Sequence, residues 1–386
     1  MTQHTVWRVR LGLVVLACAC SAVRGAAQPS PSAARPEDGR GFHGWQFEAH
    51  LGVIPSTTAS GTSQLPPAGT TFTTFNGTTS RLVPSWYFGD GALLANQVAQ
   101  AVMRNNPGLQ LPQIVALDPA LKSAGVTRQS AAAFGFRIGH SVTRHALVEL
   151  SVDVGNSRTA ITSDTLKAIE ATRASFGPYF STVLGTLNTN AANVTTGSTA
   201  SIENNNTGSQ INGVLDVNVS PGTYGGFMPY FTLGGGVIIV PADAPAVTLS
   251  GNYAFTINQP GTGINGARLA ESDNLHIKYE VNPIRPTLVA GAGVERAVTG
   301  HSGFRADLRF YLNANQTTVR IDAGAQSGVG APPLGRLNRG PSPALQFSTI
   351  PSVPSSLSPQ ATVRRFNTFV GHAAESSITV GYFVRF

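Results

Sequence analysis

Apolar and polar residues alternate strictly along this chain, in segments that recur from one end to the other. In the last of them, Ile378, Val380, Tyr382, Val384 and Phe386 fall on one face of an extended chain. Ser377, Thr379, Gly381, Phe383 and Arg385 fall on the other. Successive side chains of a strand point to opposite faces, so a period of two predicts a strand with one apolar face. The same holds at 303–313, where Phe304, Ala306, Leu308, Phe310 and Leu312 oppose Arg305, Asp307, Arg309 and Tyr311. It holds at 146–154 and 211–219, and more weakly at 45–54, 132–139, 229–240 and 286–298. Each segment has about the nine to eleven residues that a tilted strand needs to cross a bilayer.

The connections carry as much information as the segments. Three are short: 140–145 (HSVTRH), 220–226 (SPGTYGG) and 299–302 (TGHS). Four are long: 56–130, 156–210, 241–284 and 314–376. Short and long connections alternate, as in barrels with tight periplasmic turns and large outer loops. The expected fold is therefore all-β: a membrane-spanning, antiparallel, up-and-down β-barrel of eight strands spanning 41–386. A soluble sandwich would require a second apolar sheet to pack against these faces. No run of about 18 apolar residues exists, which excludes a helical membrane protein. Segments 252–258 (NYAFTIN) and 276–281 (HIKYEV) either prolong the hairpins beyond the bilayer or add a fifth hairpin, for ten strands.

Composition narrows the function classes. Only 12% of the 386 residues are charged, about half the usual share. The net charge is +7, yet lysine occurs only at 122, 167 and 278, so the clustered basic patch of a nucleic-acid binder is missing. Residues 1–27 read as a cleaved signal peptide: Arg8 and Arg10, an apolar run at 11–23, then small residues at 25–27. Its removal takes three arginines and no acid, which brings +7 down to +4. Cys18 and Cys20 leave with it, so no thiolate metal site or disulfide framework is expected. A lipoprotein reading through Cys18 is the alternative, although Leu16 fits that pattern poorly. Residues 28–40 (QPSPSAARPEDGR) read as a flexible leader.

Taken with the alternation and the terminal aromatic strand, the chain resembles the small outer-membrane β-barrels of the OmpA/opacity/OmpW type. The opening of the fifth segment, 229–236 (PYFTLGGG), is similar to openings in such barrels. The resemblance implies an outer-membrane location in a Gram-negative-type bacterium. It also implies that Tyr382 and Phe386 are read by the barrel-assembly machinery as an assembly signal. Outer-membrane lipid and lipopolysaccharide are the other expected partners; no extracellular ligand can be named.

The inward faces collect Glu48, His50, Arg137, Glu149, Asp153, Asp216, Glu295, Arg305, Asp307 and Arg309. An eight-stranded barrel is just wide enough for side chains to fill, so these residues predict a polar plug rather than a gated ion path. Symmetry about the turns pairs Arg137 with Glu149 and Glu295 with Arg305. On the lipid side, Trp45, Phe47, Phe136 and Phe304 form a periplasmic aromatic girdle with Tyr382 and Phe386, while Phe310 stands nearly alone at the outer end. Helices are expected at 91–105 and at 163–175, the latter capped by Ser163 or Asp164. The stretches at 70–80 and 188–210, rich in Thr, Asn, Gly and Ser, read as mobile surface loop. Arg320, Arg336, Arg339, Arg364 and Arg365 gather in the last long connection; a merely solvated patch is the slightly favoured reading, and contact with anionic lipopolysaccharide the alternative. No catalytic, metal or cofactor motif is present. His372 with Ser376 and Glu375 comes nearest to a catalytic set, but Glu375 points to the opposite face. The expected function is non-enzymatic: a structural or surface-interaction role carried by the outer loops. A passive diffusion channel is the alternative, and a rim hydrolase a remote third.

Overall fold

The computed structural model describes residues 43–55, 57–58, 68–123, 125–185, 191–203, 207–240, 244–259, 264–329, 334–361 and 367–386. The signal peptide, its cysteines, the leader, Arg364 and Arg365 lie outside the described residues. Eleven strands of ten or more residues organise the rest: β1 (Trp45–Ile54), β2 (Ala131–Thr143), β3 (Ala146–Ile161), β4 (Ala191–Glu203), β5 (Thr207–Val219), β6 (Phe227–Ile239), β7 (Ala246–Gln259), β8 (Ile264–Val281), β9 (Ile284–Thr299), β10 (Ser302–Val329) and β11 (Asn367–Arg385). Two long helices accompany them, α1 (Gly89–Asn105) and α2 (Ser163–Gly185).

Eight strands close a ring in the order β1-β2-β3-β5-β6-β9-β10-β11, every neighbour antiparallel, with β11 pairing back onto β1. The seam is held to its end, because Phe386 and Trp45 exchange two backbone hydrogen bonds of 3.0 and 3.2 Å. All eight segments read from alternation are barrel strands. Their outward residues form an apolar belt in which Leu51, Phe231, Leu233 and Leu288 are 66–71% exposed. So much bare hydrocarbon is tolerable only against lipid.

The strands do not stop at the membrane. β10 has 28 residues, about three times the length a bilayer requires. It pairs with β9 up to Asn313 and then exchanges that neighbour for β8 from Thr317 onward. β8 continues to β7 and β4, so a sheet extends above the barrel. Segments 252–258 and 276–281 therefore prolong the sheet beyond the bilayer, and the barrel itself has eight strands. The polarity of β10 inverts on the way. Its inward face changes from Arg305, Asp307 and Arg309 to buried Val319, Ile321, Ala323 and Ala325. Its outward face changes from exposed Phe304, Leu308, Phe310 and Leu312 to Arg320, Asp322, Gly324 and Gln326. Below the switch the outside is lipid; above it the outside is water and the inside is protein.

That protein is an outer module with an apolar core of its own. Trp86, Tyr87 and Phe88, the buried face of α1, and Phe176, Tyr179 and Phe180 of α2 pack on Leu249, Tyr253, Leu275 and Ile277. Phe180 stacks on Tyr253 with ring centroids 4.4 Å apart. The cap of α2 differs from expectation: Thr162 Oγ1 accepts the Thr165 N–H at 3.3 Å, a residue before Ser163. The helix also runs to Gly185, ten residues beyond the expected end. The loop reading of 188–210 is corrected, since Ala191–Glu203 is β4 and β5 begins at Thr207. Threonine suits a pleated strand, and here pairing with β7 and packing against α2 supply what local alternation lacks. Residues 70–80 form a small hairpin, Thr71–Thr73 with Thr79–Arg81, turning where Gly77 takes a positive φ of 78°.

The lumen ion network as candidate functional site

The inward side chains form three connected layers. Nearest the short turns, Arg385 meets Glu295 at 2.8 Å and Gln46 Oε1 at 3.0 Å, while Gln46 Nε2 donates to Glu295 at 3.2 Å. The central layer is built on three arginines whose side chains are at most 1% exposed. Arg137 reaches Glu48 at 2.7 Å and Asp307 at 2.5 Å, and donates to Thr379 Oγ1 at 2.9 Å. Arg305 pairs with Glu149, with Asp307 at 3.0 Å and with Glu48 at 3.2 Å. It also donates to the Tyr230 hydroxyl at 2.6 Å, and that hydroxyl donates to Asp307. Arg309 meets Glu149 at 2.6 Å and Asp216 at 2.9 Å. His50 lies between two carboxylates, 2.5 Å from Asp153 and 3.5 Å from Glu48. In the upper layer, Glu375 receives Arg128 at 2.7 Å and Arg285 at 3.1 Å.

Each of the ten lumen residues expected from the sequence is inward and buried. The pairing is less local than turn symmetry implies. Arg137 and Glu149 are 3.7 Å apart, and Arg305 and Glu295 3.9 Å, so both contacts exist. The shortest contacts instead cross the lumen, from β10 to Glu149 on β3 and Asp216 on β5. Small inward residues make room for them. A Cβ on Gly381 would stand 2.4 Å from Glu48 Oε1, and one on Gly135 2.4 Å from Asp153 Oδ1. Neither carboxylate could then keep its place.

Sequence reasoning missed Gln46, Arg128, Arg285, Tyr230, Tyr311 and Glu375 as members of the network. Arg285 and Glu375 obey the same alternation, one and two residues before the segments as read. Glu375 is inward and held by two arginines, while the side chain of His372 lies outside the described residues. In the aromatic set, Phe47 contacts Phe386 at 5.8 Å and Phe304 contacts Tyr382 at 5.4 Å, both edge to face. Trp45 leans on His140 at 4.8 Å, and Phe136 faces outward, partly covered. The expected basic patch is dispersed. Arg339 is 3% exposed inside the module, Arg336 lies 4.5 Å over the Phe75 ring, and Arg320 is exposed beside Asp322 at 3.1 Å.

Chemically the network can fill and stiffen the lumen. Unpaired ions in so narrow a space would be costly, whereas ions that are mutually paired and hydrogen-bonded are tolerated. Among the described residues no group of three or more His, Cys, Asp or Glu is arranged to hold a metal.

No family model and no curated protein matches this chain. Solved structures that resemble it include CarO of Acinetobacter baumannii, at 11% identity and a TM-score of 0.23, covering 69% of this chain and 99% of that one. The outer membrane protease OmpT of Escherichia coli aligns at 10% identity and a TM-score of 0.26, over 92% and 99% of the two chains. An outer membrane channel of Pseudomonas putida F1 aligns at 9% identity and a TM-score of 0.22, over 92% and 100%. Likenesses this slight do not decide what the chain does, and the geometry has to carry that question.

Proposed function

We propose that this protein is a non-enzymatic outer-membrane β-barrel whose closed lumen anchors an outer module, and that the module acts in surface interaction. The observation that carries this is the lumen itself: Arg137, Arg305, Arg309 and Glu149 are at most 1% exposed, as in a packed interior and unlike a hydrated passage. The folded module above it, with its own apolar core, supports a role outside the membrane. The eight-stranded meander is compatible with the OmpA/opacity/OmpW type, which remains part of the proposal. Reconstituted in planar bilayers, the protein is expected to give no discrete conductance steps. A steady open-channel current would favour the diffusion channel and overturn the closed-lumen reading.

The assembly signal is part of the same proposal. Phe386→Ala keeps the backbone pairing with Trp45 but removes the ring that contacts Phe47. Its folded yield in cells is expected to fall several-fold, while refolding into detergent micelles stays near that of the wild type. Equal cellular yields would remove the signal role from Phe386, and equal losses in both settings would make the ring structural only.

A further inference from the structure

Charge is divided between the two ends of the molecule. Among the described residues, every acidic side chain outside the lumen belongs to the outer module or to the strand ends that enter it. The short-turn end exposes only cations and imidazoles: Arg144 and His145 between β2 and β3, His301 between β9 and β10, and His140 and Arg296 on the outward face. Arg385 is there too, but Glu295 and Gln46 hold it inside the rim. Neighbouring turns are tied together. The Ser220 N–H donates to the His145 carbonyl at 2.8 Å, and His145 Nδ1 stands 3.1 Å from the Ser220 carbonyl. Arg144 is thereby fixed next to the turn that leads into β6.

Arg296 faces lipid rather than the lumen. On β9 the exposed outward residues run from Ile284, beside the polarity switch of β10, through Leu288 to Arg296, twelve positions from the start. Twelve residues rise about 40 Å along a strand, or roughly 28 Å along the membrane normal at a tilt of about 45°. The hydrocarbon core is about 30 Å thick, so a belt that begins at Ile284 leaves Arg296 at the opposite boundary, among the headgroups. In register it stands between Phe227 of β6 and Phe304 of β10. Its guanidinium lies over the Phe227 ring, 4.9 Å from the centroid. That contact orients the planar fork without neutralising it. Among the described residues no acidic side chain is paired with Arg296 or Arg144. A charge on the lipid face is tolerated near the interface only, where an anion of the membrane meets it. A zwitterionic headgroup would also bring an ammonium, for which this end offers no acidic partner.

Resting on the outer-membrane placement proposed above, we infer that the short-turn rim around Arg296 binds the phosphate of an anionic phospholipid. Arg296 meets the phosphate, and Arg144 adds charge from the neighbouring turn. Short turns face the periplasm in such barrels, and the leaflet on that side is phospholipid rather than lipopolysaccharide. The test folds the full chain in micelles holding equal amounts of phosphatidylglycerol and phosphatidylethanolamine with the same acyl chains, and reads the retained lipid by native mass spectrometry. The wild type is expected to retain phosphatidylglycerol at least about fivefold more, the gain from one arginine at a membrane surface. Arg296→Gln should lower that ratio about fivefold, whereas Arg320→Gln in the outer module should leave it unchanged. Both side chains are exposed, and unheated mobility in SDS verifies that each variant is folded. A ratio that survives Arg296→Gln, or that Arg320→Gln lowers equally, overturns the site. Displacement of phosphatidylglycerol by an equal amount of lipid A overturns phospholipid as the occupant. A wild type that retains both phospholipids without preference overturns the site alone. One that retains neither and stays soluble without detergent overturns the membrane placement and the site with it.

Discussion

In urea titrations of the folded barrel, Arg309→Ala is expected to lose about 3–5 kcal/mol of stability relative to the wild type. Arg309 is the ion-pair partner of Asp216 at 2.9 Å and also serves Glu149 at 2.6 Å, with its own side chain fully buried. Glu149 keeps Arg305 and Arg137 after the substitution, but the buried Asp216 loses the one ion-pair partner it has among the described residues. Removing Asp216 as well takes away that stranded charge. Arg309→Ala/Asp216→Ala should therefore be less destabilised than the sum of the single variants, by roughly 1–3 kcal/mol. Glu295 provides the contrast. Its closest cation is Arg385 near the rim, and Arg305 is 3.9 Å away with three other acids to hold. Adding Arg305→Ala to Glu295→Ala should therefore worsen the loss, whereas a simple hairpin-local pair would make the double variant the milder one. Additive losses for Arg309 and Asp216 would mean that water enters the lumen and solvates the stranded group.

The barrel was legible because a lipid-facing strand has to alternate, and alternation survives in a single sequence. All eight segments are strands, and the inward charges follow from the same period. Partner choice was not legible. An arginine side chain spans the lumen of an eight-stranded barrel, so Arg305 finds Glu149, 156 residues earlier, across the interior. Turn symmetry ranks only neighbours within a hairpin. The outer module was hidden for a different reason. β4 packs through Thr, Ser, Val and Ala against α2, and its strand character comes from β7 and the helix rather than from its own pattern. β7 and β8 do alternate, yet alternation alone cannot say whether the apolar face meets lipid or a protein core. The switch between Leu312 and Arg320 answers that for β10, and it required the course of the chain above the membrane.

The stability of the outer module is expected to fall as the pH rises from 4 to 8. Asp273 and Glu271 project from β8 into the module core, at 0% and 3% exposure. Asp273 Oδ2 accepts the Trp86 N–H at 2.6 Å and the Ser85 hydroxyl at 3.0 Å. Glu271 accepts the Tyr253 hydroxyl, which in turn receives the Trp86 indole N–H at 3.2 Å. No cation is paired with either carboxylate among the described residues. Burial pushes both up to about 7, against about 4 in an unfolded chain. The folded module thus holds these protons more tightly than the unfolded chain does. The stabilisation is complete below about pH 4 and is lost as the pH rises through 7, at roughly 3–4 kcal/mol for each group. Trp86 provides the signal: beyond residue 27 the only other tryptophan is Trp45, and Trp45→Phe removes it. Thermal unfolding followed by Trp86 fluorescence should show a lower midpoint at pH 8 than at pH 5. Asp273→Asn, which still offers an oxygen to Trp86 and Ser85, should flatten about half of that slope. A midpoint that is level or rises over this range would mean that the two carboxylates are ionised in the folded module, with Trp86 held by charged rather than neutral acceptors.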